Sequence, residues 1–447
     1  VTETTTTGFL GNIGNAIVGV LVGIVMFFGS FVVLYYNEGM VNVADVAKKA
    51  AVAPAEKADP ANEAKLVSVT STLESKEDVG DPSFVKPGAW IALSRKVEMF
   101  ANLETKHEET KKNTGGSSTT TTTWTYATGW SDSPSATDSS KFKEKGHDNP
   151  LWPFGNAEFK VENATVGAYS VHVKGDDLDL PPGDSLSLTP AIFQIGAAPA
   201  ALPAEANGAT NNTNAPAAQT IACPGCGETR PLSKANCPHC GAPASDKWTT
   251  APAGTATPSA GGAPHIDGNY VFVGSGSLAS PRIGDVRASY LALARSLKVT
   301  LFGQQKGSNV EPFAIEGGDF LHKRLFRALK GTREEAIQEL AFEDAMRLWI
   351  LRGVGFLLMW IGMSLVFGPI TAVMDVFPSL GGFVKAVIGI VLFPIALVLT
   401  GVTIVVAKIL HSVIAMVIVG LLVFGLVFIV LKSMKKKSTP PAAPATA

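Results

Sequence analysis

The sequence predicts an α+β membrane protein. Four transmembrane helices, one N-terminal and three C-terminal, flank a large mainly-β extramembrane domain that carries an inserted zinc-ribbon module. Three observations predict it. Uncharged apolar runs stand at both ends of the 447-residue chain. Between them, short stretches alternate apolar and polar residues, the period of half-buried strands. All four cysteines fall within 18 residues, as two Cys-x-x-Cys pairs.

Composition narrows the function classes. Apolar residues make up 46% and charged residues only 17%, against about a quarter charged in soluble domains. Lys plus Arg (37) and Asp plus Glu (38) leave a formal charge of −1. That lacks the basic surplus of a nucleic-acid binder, so no nucleic-acid partner is expected. With 44 Gly and 28 Pro, parts of the chain are expected to be irregular. Four cysteines are too few for a disulfide-dense secreted scaffold.

Residues 1–15 read as an N-terminal tail. Residues 16–36 hold no charge over 21 positions, about 31 Å of helix against a hydrocarbon core of roughly 30 Å. A signal peptide fits less well, because residues 1–15 carry no Lys or Arg. Further spans are read at 353–374, at 386–407 with a kink at Pro394, and at 412–431. Lys408 and His411 lie in the turn between the last two, which makes them a helical hairpin. No span has an ionisable residue at its centre, which argues against an ion-coupled carrier. Gly19 and Gly23 form a small-xxx-small pair, a helix-packing face or a chance spacing. Lys432, Lys435, Lys436 and Lys437 place the C-terminal tail (432–447) in the cytoplasm. Four spans then put both termini there and residues 37–352 on the extracytoplasmic or lumenal side. Lys48, Lys49 and Arg352 pull the other way.

Residues 37–65 read as a connector. The β domain is read in two parts, 66–198 and 265–331. Its strand-like stretches begin at Leu66, Ala89, Phe159, Tyr169, Tyr270, Val286 and Leu297. Residues 111–123, with five consecutive Thr, read as a flexible hairpin tip. Linkers rich in Ala, Pro, Thr, Gly and Asn at 199–220 and 248–264 bracket the module at 221–247. Thr332 and Glu335 have capping-box spacing and open a juxtamembrane amphipathic helix over 332–352. Its Ile337, Leu340, Ala341 and Leu348 share a face, either packed on protein or lying on the bilayer.

Cys223-Pro-Gly-Cys226-Gly and Cys237-Pro-His-Cys240-Gly can direct four thiolates at one zinc ion, with a Gly allowing each tight turn. His239 is a spectator between two ligands. A closed four-thiolate site has no open position for substrate, so the zinc is structural. It could fold a module that has almost no apolar core. Two disulfides are the competing state, favoured if the module lies outside the cytoplasm.

Other chemistry is weakly signalled. Gly274-Ser-Gly276-Ser-Leu-Ala279 follows a strand but runs into Pro281 with no helical pattern behind it. The helix N-terminus that a dinucleotide pyrophosphate needs is therefore missing. Gly146, His147, Asp148, Asn149 and Pro150 form a polar turn. His147 beside Asp148 could serve acid–base chemistry, although such a His more often satisfies hydrogen bonds at a turn.

The chain resembles the transmembrane protein 43 (LUMA) family in plan and in the order of its motifs. Asn37-Glu38-Gly39 follows the first span. Val97-Glu98-Met99-Phe100, Glu104-Thr105, Tyr126 with Trp130, and Phe142 before Gly146-His147-x-Asn149-Pro150 come next. His265-Ile266-Asp267, Gly284-Asp285-Val286-Arg287, Pro312-Phe313, Trp349, Leu351-Arg352, Gly355, and Asp375 with Phe377-Pro378 continue it. The resemblance spans 12–435 and omits the cysteine module, which points to a bacterial or otherwise divergent member. It implies a membrane scaffold with protein partners and an oligomerising habit. Animal members sit in the endoplasmic reticulum and inner nuclear membrane with lamina and emerin as partners, which a bacterial member would not share. The family supplies no enzymatic residues to carry over.

The resulting expectation is a non-enzymatic polytopic membrane scaffold, a homo-oligomer in the bilayer that organises membrane or envelope partners. Two alternatives belong to other classes. One is a sensor of membrane stress or invasion, marked by effector genes beside its own. The other is a membrane-embedded enzyme using His147, marked by a deep polar pocket at residues 146–150, whereas a packed turn counts against it.

Overall fold

A computed structural model describes residues 1–175, 178–196, 262–317 and 323–412, together with the strand fragments Thr220–Ala222, Thr229–Pro231 and Thr249–Thr250. The four cysteines and the apolar run expected at 412–431 lie outside the described residues, apart from Ser412.

Three helices among the described residues are long and apolar enough to cross a membrane. They are α1 (Phe9–Glu38), the distal half of α3 (Arg333–Val366) and α5 (Pro378–His411). The short α2 (Val43–Lys48) and α4 (Gly368–Met374) complete the helical set. The first helix begins seven residues before the expected span, so the N-terminal tail is shorter than predicted. The second span is not one helix to residue 374. It breaks at Phe367, because Pro369 lacks the N–H that would continue the α3 ladder. Beyond the break, α5 starts at Pro378, eight residues before the expected 386.

Helices α1 and α3 approach closely where both lack side chains. A Cβ on Gly23 would lie 2.7 Å from the Gly362 carbonyl oxygen, and one on Gly362 would lie 2.7 Å from the Phe27 nitrogen. Gly23 is therefore a packing glycine facing Gly362, whereas Gly19 lies at the edge of the contact. Gly23→Val is expected to cost about 1–3 kcal/mol by overpacking. Thermal unfolding in detergent checks this, with Gly14→Val, which meets open space, as the neutral control.

Six strands carry most of the architecture: β1 (Thr2–Thr7), β2 (Leu66–Glu74), β3 (Trp90–Lys112), β4 (Ser118–Ser131), β5 (Val286–Ala294) and β6 (Leu297–Lys306). One sheet runs β1-β4-β3-β5, then Tyr270–Val273 and His265–Asp267. In the other, β2 pairs with both β6 and Asn163–Val166, so the path through Tyr169–His172 and Asn309–Glu311 closes on itself. One apolar core draws on both sheets, with Val67, Val69 and Leu73 from β2 and Ile91, Leu93, Val97 and Met99 from β3.

The Thr run at 119–123 is not a hairpin tip. It lies inside β4, paired with β3 on one side and with β1 on the other, and the turn is at residues 113–117. β-Branched Thr fits a pleated ladder, and this preference outweighs the low complexity of the run. The N-terminal tail accordingly includes strand β1 instead of being featureless.

Thr332 and Glu335 form the capping box of α3. From there α3 runs without a break from the β domain into the bilayer. Its Ala336 and Leu340 pack with Val43, Ala44 and Ala47 of α2 and with Leu66, Phe302 and Leu329 of the second sheet. The opposite face leaves Phe342, Met346, Trp349 and Ile350 exposed. The helix thus uses one side on protein and presents a bare apolar stripe continuous with its membrane half.

Candidate functional site

The motifs scattered through the sequence converge at two places. The first is the base of the β3–β4 hairpin, where the turn 146–150 packs against it. Asn149 is the pin. Its Oδ1 accepts from the Asn102 N–H at 2.7 Å, and its Nδ2 donates to the carbonyls of Asn102 and Thr137, both at 2.9 Å. The Asp148 carbonyl accepts from Asn102 Nδ2 at 3.2 Å. Pro150 fills the space where a Gly284 side chain would stand, and Gly284 has φ +93°, so both the contact and the backbone require Gly. Gly284 N–H donates to the Phe100 carbonyl and Phe100 N–H to the Asp285 carbonyl, tying β3 to β5.

His147 is stacked on Tyr126, with ring centroids 3.9 Å apart and planes 5° from parallel. Tyr126 donates to Glu104 Oε2 at 2.6 Å, and the Lys143 N–H donates to the same oxygen. Burial raises the Glu104 pKa, but the Tyr126 hydroxyl, the Lys143 N–H and the Lys143 charge outweigh it and hold the group below its ordinary value. The turn is packed, not hollow, which counts against an enzyme built on His147. It presents a polar, aromatic-backed surface at the hairpin base. Arg287 completes this face: it pairs with Glu98 at 2.8 Å and lies over the rings of Trp130 and Tyr270, at 4.3 and 4.8 Å.

The Gly274–Gly276 loop has its own anion. Asp285, almost fully buried, accepts the N–H groups of Ser275, Gly276 and Arg282. Those are the donors a phosphate would need, and strand β5, not a helix, follows. The loop is therefore a structural clasp around a carboxylate.

The second convergence is the junction of membrane and β domain. Glu38 at the end of α1 is held in a bidentate pair by Arg352 of α3, at 2.6 and 2.8 Å. Arg352 also lies over the Trp349 ring at 4.8 Å. Asn37 donates to the Leu348 carbonyl at 3.2 Å, and a Gly355 side chain would collide with Leu34. His411 at the end of α5 packs against Tyr35 and over Gly39. Nearby, Asp344 accepts the Ala44 N–H and an Arg347 guanidinium N–H, which locks α2 to α3. A half-open cavity of about 530 Å³ opens beside this lock, between Arg324, Arg327, Glu343 and Arg347.

Sequence reasoning missed a third group, Asp81, Arg95 and Tyr290, in the core. Arg95 Nη1 is 2.6 Å from Asp81 Oδ2, and the Tyr290 hydroxyl donates to the same oxygen at 2.7 Å. Burial first, then the Asp81 charge, raises the Tyr290 pKa far above its ordinary value, so it remains a donor. All three are satisfied internally.

Among the described residues, no group of three or more His, Cys, Asp or Glu is arranged to hold a metal ion. The expected zinc ligands lie outside them. The flanking fragments Thr220–Ala222 and Thr229–Pro231 pair antiparallel, and Thr249–Thr250 adds to Thr220–Ala222.

Comparison with known proteins agrees with this architecture. The family model described as transmembrane protein 43 matches residues 99–176 and 244–413, more than half of the chain. The rat protein named transmembrane protein 43 is 24% identical over 394 residues, covering 83% of this chain and 79% of its own. The human protein of that name is 23% identical over 397 residues, with the same coverage. Neither is named for a catalytic activity. No solved structure matches the chain.

Proposed function

Because the chain belongs to the transmembrane protein 43 family, we propose that it is a non-enzymatic, homo-oligomeric membrane scaffold whose β domain organises partner proteins at the bilayer surface. One observation carries this reading. Helix α3 passes unbroken from the second sheet into the membrane, and the Glu38–Arg352 pair and the Asp344 lock fasten α1 and α2 to it. A domain held this stiffly to its anchor suits the display of a surface at a fixed height. The hairpin base, with His147, Arg287 and Trp130 among its half-buried groups, is the face we assign to partners. In this reading α1 enters the bilayer from the cytoplasmic side, the C-terminal tail is cytoplasmic and the β domain is extracytoplasmic or lumenal, while β1 runs back from the start of α1 toward the β domain. The test is turnover by the purified full chain on lipid and peptide substrates. None is expected. Turnover abolished by His147→Ala would overturn the scaffold reading in favour of an enzyme.

The cysteine module adds a docking surface built around a structural zinc held by Cys223, Cys226, Cys237 and Cys240. Its chemistry supports this: four thiolates in two knuckles, with paired strand fragments on either side of the first. Purified protein is expected to carry about one zinc per chain, and Cys237→Ser to lower it. Thiol labelling of intact cells with an impermeant reagent should increase after chelation. Thiols that react only after reduction, in protein free of zinc, would show two disulfides instead.

A further inference from the structure

Strands β1, β4 and β3 continue beyond the shared core of the two sheets as a three-stranded ribbon, and this ribbon ends at the far side of the membrane helices. Its base is fixed to the β domain at Glu104 and Tyr126. Its tip is fixed to the distal end of the bundle. Asn12 Nδ2 donates to the Gly116 carbonyl at 2.8 Å, and Ser118 Oγ donates to Asn12 Oδ1 at 2.9 Å. The Gly115 N–H donates to the Val376 carbonyl, and Lys112 pairs with Asp375 at 2.7 Å. From Glu104 to Gly115 the ribbon spans about 36 Å. From Asn12 to Asn37 helix α1 spans about 37 Å. The ribbon therefore bridges the same two levels as the membrane helix and passes through the depth of the bilayer.

Lipid is the wrong surroundings for it. Thr105 to Lys111 are exposed on both faces, and they include Lys106, His107, Glu108, Glu109 and Lys111. Among the described residues, no strand pairs with the outer edge of β1 or with β3 beyond Asn102 on its outer side. Unpaired backbone groups and charges are both costly in hydrocarbon, which is why open sheet edges do not face lipid. An apolar helix packed there would bring no backbone partners. A second copy of this chain would, since its ribbon sits at the same depth and offers the complementary edge.

We propose that the ribbon is the oligomerisation element of this chain: the free edge of Thr105–Lys112 pairs inside the membrane with the free edge of β1 on a neighbouring copy. The strand register sets the level. Thr4 and Glu109 both pair with Thr121, so they stand level on the two outer edges. Since β1 and β3 run parallel, copies related by rotation about the membrane normal bring these edges together head to tail, an arrangement that closes into a ring. This rests on the homo-oligomeric part of the reading above and names its surface.

The test uses the full chain in native membranes, with the photo-crosslinker benzoylphenylalanine in place of Thr4 or, separately, Glu109. Both positions are exposed, so the fold should tolerate it. Most of the crosslinked product should be a dimer and a ladder of higher species from either site. Peptide mapping should join Thr4 of one copy to β3 of the next, and Glu109 to β1. An oligomer by size in detergent that yields adducts only to lipid or within one chain would overturn the ribbon surface and leave oligomerisation standing. A monomer by size, with no intermolecular product, would overturn both.

Discussion

Asp81→Asn is expected to cost the β domain about 3–5 kcal/mol, the usual result of stripping one partner from a buried ion pair. The Asp81 and Arg95 side chains are 1% and 6% exposed, so water does not replace the lost charge. The Asp81 carboxylate also accepts the Tyr290 hydroxyl and the Ser83 N–H. Arg95 additionally donates through Nε to the Gly155 carbonyl and lies among the rings of Phe84, Phe154 and Phe159. Asn can keep part of the hydrogen bonding but leaves the guanidinium uncompensated in an apolar core. Arg95→Met should be similarly costly, because it leaves the carboxylate charged and buried. The double variant Asp81→Asn with Arg95→Met should be well more stable than the sum of the two single losses predicts, since no lone charge remains. Denaturant unfolding in detergent, followed by intrinsic tryptophan fluorescence to which the buried Trp152 contributes, measures all three. Additive losses would show that the pair is not coupled.

That cluster was legible in one respect. Ile91, Leu93, Val97, Met99 and Ala101 alternate along β3 and all face the core, and Arg95 falls in the same phase. A cation in the apolar phase of a strand demands a buried anion. The sequence offers no spacing rule that picks Asp81, which comes from a three-residue strand and a turn 14 residues away. The membrane helices were easier, because an uncharged run long enough to cross lipid is a property of contiguous sequence. Their ends were harder. Phe9 begins α1 because Asn12 and its neighbours meet the hairpin tip, a contact from residues over 100 positions away. The Thr run misled because low complexity reads as a loop, while its β propensity is expressed once β1 and β3 supply partners on both edges. At the hairpin base, the order of short motifs was visible in the chain. Their meeting was not, since Pro150 against Gly284 and Glu98 against Arg287 are joined only by the register of β3 on β5.

Removing Arg352 should loosen the whole membrane junction. The Glu38 side chain is 1% exposed and takes both carboxylate oxygens into the guanidinium fork, with Lys408 4.0 Å away as its second cation. Arg352→Ala leaves that carboxylate buried with only a distant, well-exposed partner, at an expected cost of about 3–5 kcal/mol. Arg352→Lys keeps the charge but loses the fork and the planar contact with Trp349, so it should recover only part of the loss. Lys408→Ala should cost about 0–1 kcal/mol, as exposed pairs do. The three variants form a graded series in thermal unfolding in one detergent. They also predict where the damage appears. With this ion pair at the junction end of α1 and α3 gone, limited proteolysis should open the connector between Gly39 and Val43 while the β domain, held by its own core, stays resistant. Equal losses for Arg352→Ala and Lys408→Ala would mean that the cations share Glu38 through water, and the rigid junction on which the display of the β domain depends would have to be abandoned.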